Sequence, residues 1–289
     1  MEREKKFWHI CTAGLEKELI FKTETDYIFG MNCIPLSIAD RAVSVKTFCL
    51  MDNHVHFIVH GAAEECGSFI KGYRRRLFTL ADMSRAEICM KEINDTEYLM
   101  RAICYVLRNP TAAGLAVLPS HYRWGSGPLY FNGGNIPVRN LPQTTIADLS
   151  QRRQISLFRS RQQLPGQYTV TADGLICPEC YTDIWFVENL FRTPVRMLYF
   201  LSRNDSMEME LTAGILHKAR YTDSELAGTV TNICLEIFRK QSPDNLSIDE
   251  RYRLADILRK RFGLGIKQLA RLTRTSASLL GQVFHSGQR

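Results

Sequence analysis

The sequence predicts an α+β protein: a ferredoxin-like antiparallel sheet with packed helices, followed by an all-α C-terminal region with a helix-turn-helix-like end. Three observations predict it. The stretch Met51-Asp52-Asn53-His54-Val55-His56-Phe57-Ile58-Val59 alternates like a buried strand. Everything up to Pro110 reads in order as β-α-β-β-α-β-α, the order of a split β-α-β sheet plus one added helix. The last third carries capped helical runs and closes on two short helices separated by a turn.

Taken in order, residues 7–13 form a first strand, followed by a loop at Gly14. Thr25, Asp26 and Tyr27 open a helix through Ile28, Met31 and Ile34. Residues 43–51 and 54–60 are the second and third strands, joined closely enough for a hairpin. Residues 67–83 form a helix on Phe69, Ile70, Tyr73, Leu77 and Leu80, and residues 86–93 a fourth strand. The next helix is capped by Asp95 or Thr96, and Pro110 is expected to end it. Residues 132 to 165, with Gly133, Gly134 and prolines, read as a connection, and residues 194–201 as a short helix. Thr222 then opens a helix through Ile233, Leu235 and Phe238. Ser247 and Glu250 have capping-box spacing at the head of the next one. After Gly263 and Gly265 comes the final pair, packing on Leu269, Ala270, Leu272, Leu279 and Val283. The expected division is 1–135, a connecting and mixed helical 136–215, and a helical 216–289.

Composition bounds the function classes. With 289 residues, 45% of them hydrophobic, the chain can build a packed core, and its net charge of +7 leans toward a polyanionic partner. No apolar run follows the N-terminal charges, so no signal peptide is expected. No stretch approaches the ~18 uninterrupted apolar residues of a membrane span, so no membrane partner is expected either. The nine cysteines, several inside apolar segments, fit a reducing compartment and free buried thiols. Cys177 and Cys180 form a C-x-x-C without a second pair, which falls short of a zinc pattern.

Two places carry chemistry. His54 and His56 point the same way from one strand, roughly 7 Å apart along the backbone. Such a pair can share one metal ion, or it can be two hydrogen-bonded strand histidines. On the later helix, Met100, Ile103, Cys104 and Leu107 form the apolar stripe, while Tyr98, Arg101, Tyr105 and Asn109 cluster on another side. Tyr105 and Asn109 are i and i+4 neighbours, and a tyrosine there also suits an ordinary amphipathic helix edge. His60 shares the histidine face and reads as a supporting residue. Arg74, Arg75 and Arg76 fan around their helix, either toward a phosphate backbone or simply into solvent.

Together, Met51-Asp-Asn-His54-Val-His56 and Tyr105-Val-Leu-Arg-Asn109-Pro110-Thr-Ala-Ala-Gly-Leu resemble the single-tyrosine HUH transposases, most nearly the REP-associated branch. HUH means His-hydrophobic-His. Phe48-Cys49-Leu50 and Tyr122-Arg-Trp-Gly-Ser126 agree, and the resemblance covers roughly residues 6 to 131. Asp52 stands where that family usually has proline. The resemblance implies a HUH palm within 1–135 and metal-dependent cutting and rejoining of single-stranded DNA through a 5′-phosphotyrosine. Tyr105 would be the nucleophile, and His54, His56 and Asn109 the ligands of Mg²⁺ or Mn²⁺. The implied partner is hairpin-forming single-stranded DNA, handled by a monomer or homodimer in the cytoplasm at the nucleoid. Arg74, Arg75, Arg76, Arg101 and Arg108 are the expected DNA contacts, with Ser276, Ser278 and Gln282 on the last helix. The rival reading is a domesticated, non-catalytic DNA-binding regulator acting through the C-terminal helices.

Overall fold

The computed structural model describes residues 4–13, 19–113, 115–133, 141–203, 223–262, 264 and 266–286. Chain contacts divide it into two compact units: Met1–Pro110 with Val117–Ile215, and Thr111–Ala116 with Leu216–Arg289. The first unit is α+β. Its four-stranded sheet consists of β1 (Lys6–Ala13), β2 (Ser44–Leu50), β3 (Val55–Gly61) and β4 (Glu87–Ile93), in the order β2-β3-β1-β4. Every pairing is antiparallel. The β2–β3 hairpin closes with the Met51 amide donating to the His54 carbonyl at 2.8 Å. Its tip is tied down by the Asp52 carbonyl, which accepts from the Ile20 and Phe21 amides at 2.7 and 3.0 Å. A strip from Tyr122 to Ser126 then runs along β2, with the Leu50 amide donating to the Trp124 carbonyl and the Ser126 amide to Phe48.

Helices α1 (Glu24–Ile38) and α2 (Ala63–Leu77) cover one face of the sheet. Phe57 points there, its ring 5.2 Å from Phe69 and 5.1 Å from Tyr73. Thr23, not Thr25, caps α1, because Asp26 accepts from the Thr23 amide and so completes a capping box. α2 starts earlier than expected and stops at Leu77. The Leu80 and Ala81 amides turn back onto the Leu77 carbonyl, and Asp82 caps a separate short turn at Ser84.

The other face is covered as well, by α3 (Thr96–Ala112) and α5 (Ile184–Phe191), so more of the chain packs on the sheet than one added helix. The Phe186 ring of α5 lies 5.2 Å from Phe7, while Tyr105 brings α3 onto the histidines described below. Asp95 caps α3 by accepting from the Tyr98 amide at 2.7 Å. Contrary to expectation, Pro110 does not end this helix, which continues to Ala112. Proline removes its own donor and crowds the carbonyl four residues back, but Pro110 is buried with Val106 and Leu107 on the packed side, so packing holds the last turn.

The stretch expected to connect the two ends has elements of its own: a β5 (Gln143–Thr145) and β6 (Thr169–Thr171) pair, α4 (Gln151–Phe158), α5 and α6 (Pro194–Ser202). The Asn32 side chain, 1% exposed on α1, donates to the Gly174 carbonyl and accepts from the Ile176 amide, both at 2.8 Å. Asp183 pairs with Lys46 of β2.

The second unit is helical where described: α7 (Asp223–Phe238), α8 (Ile248–Phe262), α9 (Ile266–Thr273) and α10 (Ala277–Ser286). Leu226, Val230, Leu254, Leu258, Leu269 and Leu280 form its core. The capping box of α8 is made, with the Glu250 amide donating to Ser247 and the Ser247 amide to the Glu250 carboxylate. Leu279 and Val283, expected to pack, are 45% and 41% exposed, and Leu280 is the buried position instead. The turn at Arg274, whose φ is 55°, sets that phase. Thr222, Gly14, Gly134, Gly263 and Gly265 lie outside the described residues.

Two substitutions test this packing by urea denaturation. Asn32→Ala strands two buried backbone groups and is expected to cost about 2–4 kcal/mol. Leu280→Ala should cost ~2–5 kcal/mol and Leu279→Ala under ~0.5 kcal/mol; the reverse order would mean that the phase of α10 is wrong.

Candidate active site

Register builds the site. Residues directly opposite one another on antiparallel strands share a face. Cys11 pairs with His56, His9 with Ile58 and Phe7 with His60, so the odd residues of β1 join the histidine face of β3. His54 sits in the hairpin turn just before β3, yet its ring centroid is 4.8 Å from that of His56, at 90°. His54 Nδ1–H donates to Asn53 Oδ1 at 2.7 Å, which leaves the lone pair of this imidazole on Nε2.

His56 is 1% exposed, and its Nδ1 lies 3.3 Å from Nε2 of His9, itself 2% exposed. The two rings stack at 5.4 Å. Burial, aided by the charge of Lys91, pushes His9 down to about 4, so at neutral pH it is uncharged. Across the sheet the same row reads Cys49, His56, Cys11, Cys89. The more exposed Cys89 thiol is brought down to about 6 by a hydrogen bond from Cys11.

Tyr105 closes the cluster from α3. Its ring meets His56 edge-on at 5.5 Å and His9 edge-on at 5.7 Å. At 4% exposure the tyrosine is covered. One turn later the Asn109 amide nitrogen donates to the Tyr105 carbonyl at 3.0 Å, which leaves its amide oxygen as the acceptor end. Lys91 of β4 lies directly opposite His9, with its ammonium 5.0 Å above the Tyr98 ring. Thus Tyr105, His56 and His54 come together with two residues that motif reading overlooked, His9 and Lys91. The register of β1 against β3 and β4 is the signal that finds them. His60 stands apart, its ring 4.5 Å from Phe7, in a packing role.

The expected DNA contacts scatter. Arg74 donates to the Ala86 carbonyl at 2.7 Å and Arg76 to Gln162 Oε1 at 2.6 Å, both on the helix that covers the opposite sheet face. Arg75 is exposed on that same helix. Arg101 pairs with Glu97, and Arg108 donates to the Leu201 carbonyl of α6 at 3.5 Å. In the second unit, the exposed Ser276 and Ser278 hydroxyls bond each other at 2.7 Å, while the Gln282 side chain lies outside the described residues. Among the described residues no group of three or more His, Cys, Asp or Glu is placed to hold a metal ion. None of their helices is long and apolar enough to cross a membrane.

No known family model matches this chain, and no curated protein does. Among solved structures it is similar to one described as a REP-associated tyrosine transposase bound to a REP hairpin. That similarity has 13% sequence identity and a TM-score of 0.34, over 44% of this chain and 78% of the other. A likeness of that size carries no weight.

His9 gives a pH signature. Its folded pKa lies below the ordinary value of 6.5, so between about 4 and 6.5 the unfolded chain binds the extra proton. Stability should therefore fall as pH drops through that window, by up to roughly 3 kcal/mol from this group. His9→Asn should flatten that slope in denaturation curves, and an unchanged slope would remove His9 as its source.

Proposed function

We propose that this protein cuts and rejoins single-stranded DNA through a covalent bond to Tyr105, using the sheet as a HUH-type, ferredoxin-like palm. The observation that carries the reading is the edge-on seat of Tyr105 on the His56 and His9 rings, next to His54. A nucleophile and two imidazoles, more than forty residues apart in sequence, converge on one face of a rigid sheet. The C-terminal helix pair is read as a helix-turn-helix that assists DNA binding.

The donor set fits Mg²⁺ or Mn²⁺. His54 keeps its Nε2 lone pair because Asn53 fixes the tautomer, and Asn109 keeps its amide oxygen because its nitrogen is bonded to the Tyr105 carbonyl. His56 is oriented by His9. When bound, such an ion supplies Lewis acidity to a phosphate oxygen. His54, His56 and Asn109 would hold it.

The chain itself does the rest. The Tyr105 oxygen attacks phosphorus and forms the 5′-phosphotyrosine as the bond to the 3′ oxygen breaks; the phenol proton passes to solvent, and the leaving oxygen takes one up to depart as a 3′-hydroxyl. The phosphoester is conserved, so a 3′-hydroxyl can reverse the step without a nucleotide cofactor. Lys91 supplies positive charge on the same face of the sheet. Because Tyr105 is covered and His54 is only half-buried, the strand enters from the His54 end, and the step requires α3 or the hairpin tip to open.

The test is a denaturing gel of the protein incubated with hairpin-forming single-stranded oligonucleotides and Mn²⁺. A covalent band is expected, reduced on the order of a thousandfold or more by Tyr105→Phe and absent with chelator. Native-gel complexes with no covalent band, across many hairpins and both metals, would leave a DNA-binding protein without this chemistry.

A further inference from the structure

Helices α5 and α6 are amphipathic in an unusual way. Their inner sides bury Val187, Phe191, Met197 and Phe200, while their outer sides expose Trp185 (75%), Val195 (75%), Leu198 (60%) and Tyr199 (57%). Large apolar side chains left on the solvent sides of helices mark a surface that meets something. The exposed charges of residues 184–203 are positive. Arg192 and Arg196 are exposed, and Arg203 lies with its guanidinium 5.7 Å over the Tyr199 ring. The sole carboxylate between residues 184 and 203 is Glu188, half-buried and accepting from the Phe131 amide at 2.7 Å.

We propose that the outer face of α5 and α6 is a stacking platform for single-stranded nucleic acid, with Trp185 and Tyr199 receiving bases and Arg192, Arg196 and Arg203 receiving phosphates. Exposed aromatic rings between arginines are what unstacked bases on an anionic backbone require, and paired bases in a duplex leave no free π-face to offer them. A second copy of the chain suits this face poorly, since a two-fold interface would set arginines against arginines. The platform also adjoins the tyrosine helix. Cys104 Sγ–H donates to the Met197 carbonyl at 3.9 Å and Arg108 to the Leu201 carbonyl, so α6 lies directly against α3. Naming the strand as DNA rests on the function proposed above; the platform itself does not depend on covalent chemistry.

Tryptophan fluorescence reads the platform directly. The chain has three tryptophans; Trp124 is buried and stacked on Tyr27, and Trp8 is bonded to the Gly61 carbonyl. Titrating the full chain with a thymidine 20-mer in chelator, where no covalent step runs, should quench Trp185. Trp185→Phe should abolish the quench. The Trp185→Ala, Tyr199→Ala double variant should weaken the dissociation constant about tenfold to a hundredfold, and circular dichroism checks that it folds. Absence of quenching in the unaltered protein would overturn the proposal, as would unchanged affinity in the double variant. So would quenching by anionic phospholipid vesicles but not by the oligonucleotide, or a dimer that the double variant splits with its DNA affinity intact. Failure of the Tyr105 gel assay beside a normal quench would remove the nuclease reading and leave the platform standing.

Discussion

The contact between His9 and His56 is the constraint around which the first unit is arranged. It exists because β1 pairs with β3, and both rings are shut away from water. Burial keeps His9 uncharged, and an uncharged ring can share a single proton with its neighbour without repulsion. A charged pair at that distance in a dry sheet would drive the strands apart. The same burial that makes the pair possible makes it sensitive to acid.

Support for that constraint comes from both sides of the sheet. Phe57, Phe69 and Tyr73 lock one face, while Tyr105 and Phe186 press on the other. The hairpin tip that carries His54 has little apolar surface of its own, and backbone bonds from Ile20 and Phe21 to Asp52 hold it instead. Asp52 serves there through its carbonyl, a group every residue type carries.

How much of this could be read from the chain follows from the range of each signal. Alternation and capping are local, and the four strands, the Asp95 cap and the Ser247–Glu250 box were legible for that reason. That Tyr105 meets His56 is a contact between two motifs 49 residues apart, and each motif was legible by itself. His9 and Lys91 were not legible, because their place depends on which strand lies beside which. Leu279 and Leu280 are equally apolar, and only the turn at Arg274 decides which faces inward. That Arg74 ties to a carbonyl and Arg76 to an amide oxygen was not legible either, because both partners are remote in sequence.

The strand order also bears on the path to the native state. β1 is the first strand of the sheet to be synthesised, but its partners come much later: Phe7 pairs with His60 on one side and Ile93 on the other. Until β4 has left the ribosome, β1 has no complete set of backbone partners, and contacts of this sequence separation form slowly. The helical second unit, built mostly from near neighbours, has no such wait. The histidine cluster therefore waits on contacts far apart in sequence, and a chain cut short before β4 would leave β1 a half-paired edge.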